Sequence, residues 1–149
     1  MNMLPARILH RAGTWPAADA SVTLDYDDRF LRRKRLETDQ GEAFLVDLPQ
    51  TESLNHGDAL ELSDGRLIQI LAAKEDLIAI TGPDLVRLAW HIGNRHSPCQ
   101  IEAMRLVIRH NHVMEDMLAK LGATLIPITE PFTPEGGAYG HGRTHSHDH

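Results

Sequence analysis

The chain has 149 residues, 42% of them hydrophobic and 24% charged, the mixture of a globular protein with one ordinary domain or two small ones rather than a chain disordered throughout. Its formal net charge of −6 argues against a nucleic-acid binder that works by bulk electrostatics, because such domains carry surplus base to neutralise phosphates. Apolar runs such as LIQILAA and LIAI fall far short of a bilayer span, the start MNMLPARILHR lacks a signal-peptide core, and the single Cys99 excludes an internal disulfide or a CxxC motif, so the expectation is a cytoplasmic protein with no membrane partner.

From Ala6 to Ile80 the pattern is strand-like. ARILHR, SVTLDYDDR, EAFLVDL and DALELSDG are short, rich in β-branched residues and separated by the turn pairs Gln40-Gly41, His56-Gly57 and Asp64-Gly65. Asp64-Gly65 predicts a hairpin with two positive φ angles. Residues 1–74 are therefore expected to form a small all-β domain. Arg29, Arg32, Arg33, Lys34 and Arg35 cluster there among Asp25, Asp27 and Asp28, either as a solvated strand face or as a docking surface for a partner protein.

A boundary is expected near Lys74, where charge interrupts the apolar pattern before LIAI resumes. Thr81-Gly82-Pro83-Asp84 ends that strand and opens a helix, with Pro83 near the first helical position. Leu85, Leu88, Ala89 and Ile92 recur at helical spacing, and Gly93 suits the C-terminal cap. QIEAMRLVIRH reads as two short strands or one bent one. Asn111 is the expected N-cap of HVMEDMLAKLG, in which Val113, Met114, Met117, Leu118 and Leu121 make the apolar face and Gly122 follows the end. ATLIPIT closes as a strand. The order over residues 75–132 is then β-α-β-β-α-β, the ferredoxin-like split arrangement, and the fold class is α+β. Residues 133–149 have no periodicity and almost no apolar content, which predicts a disordered tail.

Ten histidines concentrate the chemistry. His91, His96, His110 and His112 lie in residues 90–121, and His141, His145, His147 and His149 lie in the last nine. Neutral imidazole suits Ni, Cu and Zn, so a transition-metal site is the first expectation, and a His-rich tract is a metal-binding composition. His110 and His112 point to one side if extended, or flank a helix entrance if Asn111 caps. His91, near a helix C-terminus, equally suits compensation of the helix dipole, whereas His96 beyond the cap is freer to ligate. Hydrolytic metal catalysis needs a base beside the metal, as in HExxH, and no such motif is present. A metal-dependent hydrolase built on His91, His96, His110 and His112, and a nucleic-acid-binding ferredoxin-like module, remain as alternatives. The aromatic content of 5% speaks against the second, which needs stacking side chains.

HIGNRH at residues 91–96 and RHNHVMEDMLAKLGA at residues 109–123, followed by the histidine-rich end, closely resemble the UreE family of urease accessory proteins, the nickel metallochaperones. The resemblance spans the chain and implies a peptide-binding-like N-terminal domain, a ferredoxin-like metal-binding domain and a variable tail. It implies that His96 is the principal Ni(II) ligand, placed at a homodimer interface so that two subunits share an ion. His110 and His112 match an HxH that supplies further sites in some members, with Asn111 where an aspartate is common. His91 matches a position that is histidine in some members, with no firm role. The implied task is delivery of nickel to apo-urease in company with the GTPase UreG, with no catalytic turnover. Imidazoles bind metal only when neutral, so binding should weaken as pH falls through about 6.5. They do not by themselves select Ni(II) over Zn(II) or Cu(II).

Overall fold

The computed structural model describes residues 3–136, and the chain divides into two compact units, Met1–Ala73 and Lys74–His149. In the first unit a single six-stranded sheet is built from β1 (Leu4–His10), β2 (Ala20–Leu24), β3 (Phe30–Glu37), β4 (Ala43–Ser53), β5 (Ala59–Leu62) and β6 (Leu67–Ala72), in the order β2-β6-β5-β1-β4-β3. β1 runs parallel to β4 and β2 parallel to β6, while the remaining pairs are antiparallel. Alternation fixes which face is inward: Phe44, Val46 and Leu48 on β4 and Ile68 and Ile70 on β6 are buried every second residue.

Three details of this unit depart from the sequence reading. The Asp64-Gly65 hairpin forms, but only Gly65 has a positive φ, at 91°. The Gly65 amide closes a turn on the Leu62 carbonyl and the Leu62 amide pairs with Arg66, a three-residue loop with glycine alone in the left-handed position. SVTLDYDDR is a strand only to Leu24, because the Asp25 carboxylate accepts from the Asp28 amide and its carbonyl accepts from Arg29, curling the chain into a turn. Arg29 is not part of a solvated face: it is 2% exposed, and its guanidinium donates to the carbonyls of Leu24 and Leu54. Burial of a charge is tolerated where such bonds replace water. The other four cations do lie exposed on β3, an edge strand.

The second unit comprises β7 (Lys74–Thr81), α1 (Leu85–Asn94), β8 (Gln100–Ile101), β9 (Leu106–Arg109), α2 (His112–Lys120) and β10 (Thr124–Pro131). Its sheet is antiparallel throughout in the order β10-β7-β9-β8, and the architecture of the whole is mixed α+β. Ile78, Ile80, Leu106 and Ile108 on one sheet face pack with Leu88 and Ile92 of α1 and Met114 and Leu118 of α2. Leu77, Ala79 and Val107 alternate with those residues and are also buried, so LIAI reads as a continuous apolar run because both faces of the central strand are covered. Asp84 caps α1 by accepting from the Arg87 amide, which puts Pro83 outside the helix rather than at its first position. Val113 is 55% exposed and belongs off the apolar face, since the buried seam of α2 runs through Met114 and Leu118. Among the described residues no helix is long and apolar enough to cross a membrane.

Candidate metal centre

The segment that carries His96 is set by how α1 ends. Gly93 is not the cap; α1 continues through Asn94, Arg95 is the C-cap, and His96 takes the left-handed position with φ 57°. The His96 amide donates to the Gly93 carbonyl at 2.9 Å and the Ser97 amide to the Ile92 carbonyl at 3.4 Å. That pair of bonds is the Schellman closure, which satisfies carbonyls the helix would otherwise leave open and which normally places glycine where His96 stands. Histidine tolerates this conformation better than most side chains, at a cost of about 1 kcal/mol. His96 is the only non-glycine residue with positive φ among those described, and it is exposed. Strain of this kind concentrates where a side chain is needed at a fixed place.

Beside His96 lies an open cavity of about 390 Å³. Residues 95–98 form one wall, and Arg109, Asn111, Val113 and Met114 form the other. Arg95 reaches across, its Nε donating to Met117 Sδ of α2 at 3.1 Å. Asn111 caps α2: its side-chain oxygen accepts from the Met114 amide at 3.1 Å, while Glu115 accepts from the Asn111 amide at 2.8 Å. This reciprocal arrangement decides the geometry of the HxH. His110 precedes the cap and His112 opens the helix, so the two flank the helix entrance instead of sharing one side of a strand. His110 Nδ1 sits 3.7 Å from Glu115 Oε2, and both histidines are exposed.

His91 lies in the last turn of α1, half-buried, with its ring edge-on to Trp90 at 5.0 Å. Among the described residues no three His, Cys, Asp or Glu side chains converge on a point that could hold a metal ion. His91, His96, His110 and His112 therefore do not converge as a cluster within the described residues of one chain. His141, His145, His147 and His149 lie outside the described residues, as does the expected tail from residue 137 onward. Cys99 packs partly buried against the helix-side core, and burial pushes its thiol up to about 11, which suits a packing residue and not a thiolate ligand. The arginines of the cavity, Arg95 and Arg109, escaped the sequence reading. Arg95 adjoins GNRH and Arg109 adjoins the HxH, and only the folding of α1 against β9 and α2 brings the two motifs to one cavity.

Residues 3–73 match the family described as UreE urease accessory protein, N-terminal domain, and residues 75–149 match the corresponding C-terminal domain. A urease accessory protein UreE from Ruegeria pomeroyi is 65% identical over 149 residues, covering the whole of both chains. Its counterpart in Cereibacter sphaeroides is 64% identical over 152 residues, covering all of this chain and 82% of the relative. One from Rhodobacter capsulatus is 53% identical over 95% of this chain and 94% of its own. With both domains matched end to end, the chain belongs to the UreE family of urease accessory proteins.

Proposed function

We propose that this chain is a nickel metallochaperone that delivers Ni(II) to apo-urease during assembly of the urease active site, in the cytoplasm and in company with the GTPase UreG. The observation that carries the reading is His96, an exposed imidazole held in a left-handed cap beside a cavity of about 390 Å³ in a member of the UreE family. The β-α-β-β-α-β order with strand order β10-β7-β9-β8 supports a ferredoxin-like domain as the scaffold for it. Imidazole nitrogen is a ligand that Ni(II), Zn(II) and Cu(II) all accept.

A single chain supplies too few convergent donors among its described residues to hold an ion tightly. On our reading a homodimer completes the site: a residue near a two-fold axis appears twice, so His96 contributes two imidazoles to one shared ion. His110 and His112 serve secondary sites, and His141, His145, His147 and His149 of the tail hold further metal weakly, because a segment without a core must be ordered when it binds. The role is that of a carrier and not an enzyme. Equilibrium dialysis against Ni(II), with protein mass measured by light scattering in the same buffer, tests the reading. The expected result is about one tight ion per dimer, retained when residues 133–149 are removed and lost in His96→Ala. A tight site that saturates at one ion per isolated monomer rejects the shared arrangement, and loss of all binding on removing the tail assigns the metal to the tail instead.

A further inference from the structure

β3 ends the strand order β2-β6-β5-β1-β4-β3, and no described strand pairs with its outer side. The chain covers the other end of that sheet itself: the Asp39 amide donates to the Ser21 carbonyl of β2, and the Ser21 amide donates to the Gln40 side chain. That cover comes from the turn after β3, so residues 32–35 lie before it. Register then tells which groups face outward. The Thr38 amide donates to the Glu42 carbonyl, in step with the pairs Glu37↔Ala43, Leu36↔Phe44, Arg35↔Leu45, Lys34↔Val46 and Arg33↔Asp47. Bonded pairs alternate in an antiparallel ladder, so Leu36 and Lys34 bond β4, while the amides and carbonyls of Arg33 and Arg35 point to the open edge.

Side chains alternate as well. Leu36 is buried, so Arg33 and Arg35 stand with Asp47 on the outer face, and Lys34 stands on the other, 3.5 Å from Asp28. Arg32 falls at the register slip between Leu31 and Arg33 and is out of the row. Asp47 is shared: Arg7 of β1 approaches it at 3.4 Å and Arg33 at 3.6 Å. Arg35 has no ion pair among the described residues. The outer face therefore carries three guanidiniums around one carboxylate, until Glu37 ends the row. Charge on an edge strand guards against unwanted pairing, a task suited to the strongly hydrated lysine. Both outward residues here are arginine, whose planar fork meets a carboxylate through two parallel bonds.

Two copies of this edge would set arginine against arginine, which rules out a second copy as the occupant. The net charge of −6 disfavours a polyphosphate backbone. We infer that the β3 edge receives an extended acidic segment of a partner protein as an added strand, with carboxylates two residues apart opposite Arg33 and Arg35. The spacing follows from the two-residue repeat of a strand face, and Glu37 repels a third carboxylate in the row. This surface is independent of the metal reading of His96, so metal-free protein tests it.

Full-length protein is titrated with the blocked peptide Thr-Val-Glu-Thr-Glu-Val-Thr and with its isomer Thr-Val-Glu-Glu-Thr-Val-Thr, whose carboxylates stand on opposite faces of a strand. Backbone amides are followed by NMR for shifts and hydrogen exchange. Saturable binding of the first peptide is expected, with exchange of the Arg33 and Arg35 amides slowed about tenfold or more while Lys34 and Leu36 change little. The isomer should bind several-fold more weakly. The double variant Arg33→Gln, Arg35→Gln should lose that difference. Arg35→Gln alone, which breaks no described ion pair, should lose part of it and serves if the double variant fails to fold by circular dichroism. Equal binding of the two peptides, or shifts without slowed exchange at Arg33 and Arg35, would reveal a surface that merely adsorbs anions and would overturn the inference. Absence of saturable binding, or binding unchanged in a folded variant, would overturn it too. Arg33 and Arg35 amides as protected in the free protein as those of Lys34 and Leu36 would show the edge already covered. An oligothymidylate that binds at lower concentration than either peptide would assign the surface to nucleic acid instead.

Discussion

Substituting His96 two ways separates what its backbone costs from what its ring does. The left-handed φ of 57° is disfavoured for any side chain, by about 1 kcal/mol at the mild end that applies to histidine. His96→Gly removes the penalty in the folded state but loosens the unfolded chain, so the net gain should be about 0.5 kcal/mol at most. His96→Ala keeps a Cβ in the strained position and removes an exposed ring, so it should stay within about 0.5 kcal/mol of the native protein. In the Lys74–His149 unit the glycine variant should melt a few degrees higher, since 1 kcal/mol corresponds to about 4–8 °C for a domain of that size. Both variants should lose tight Ni(II) binding equally. Urea denaturation followed by circular dichroism gives the stabilities, and Ni(II) titration of the same samples gives the site. A glycine variant no more stable than the alanine variant would show that the left-handed cap is not the conformation in solution. Tight binding retained by either would show that the imidazole is not the ligand.

The double substitution of His110 and His112 by alanine should leave the tight site and association intact while lowering the number of weaker ions bound, because neither ring is among the cavity-lining residues; unchanged stoichiometry would reduce both to surface residues. Cys99, with its thiol pushed up to about 11 by burial, should alkylate at pH 8.5 about a hundredfold more slowly in the native than in the urea-unfolded protein, and comparable rates would contradict its packing. The guanidinium of Arg105 hydrogen-bonds Glu130 at 2.7 Å and Glu102 at 3.0 Å and holds both carboxyls below the usual range. Because these groups bind fewer protons folded than unfolded, the stability they add is fully present above the ordinary carboxylate value of about 4.3 and is lost as pH falls from there through their lowered folded values. The native protein should thus lose more stability between pH 7 and pH 3 than Arg105→Gln does, as read from urea midpoints at the two values, and parallel losses would refute the coupling.

What could be read from the sequence follows the range of the interactions. The Asn111 cap was legible because a cap is local: an amide-bearing side chain is followed at the right spacing by an apolar seam, and Glu115 closes the bond back to the Asn111 amide. The end of α1 was not, because Gly93 satisfies the local rule for a stop while the closing bonds form three residues later, from the His96 and Ser97 amides. Arg29 shows the same override. Its neighbours are charged, yet the carbonyls of Leu24 and Leu54 that capture its guanidinium come from separate places in the chain. Val113 was misplaced by one position on a helix wheel, a small error in angle that moves a side chain from the core to the rim of the cavity. For the candidate site, the histidines were visible one by one, but the pairing of the GNRH loop with Arg109 depends on β9 lying beside the end of α1, which no local pattern encodes.

On the proposed carrier reading, the lack of a converging donor triad among the described residues of one chain has a thermodynamic consequence. If two chains share an ion through His96, metal binding and association are linked, and each strengthens the other by the same factor. A chain that folded three ligands into one site would hold its ion regardless of what docked nearby. Here the described residues of one chain present no such triad, so on the proposed reading an agent that competes for the shared face would lower affinity without any change in the His96 loop. Tight capture and ready transfer conflict when they depend on one set of contacts, and contacts divided between two chains would let the partner decide which prevails.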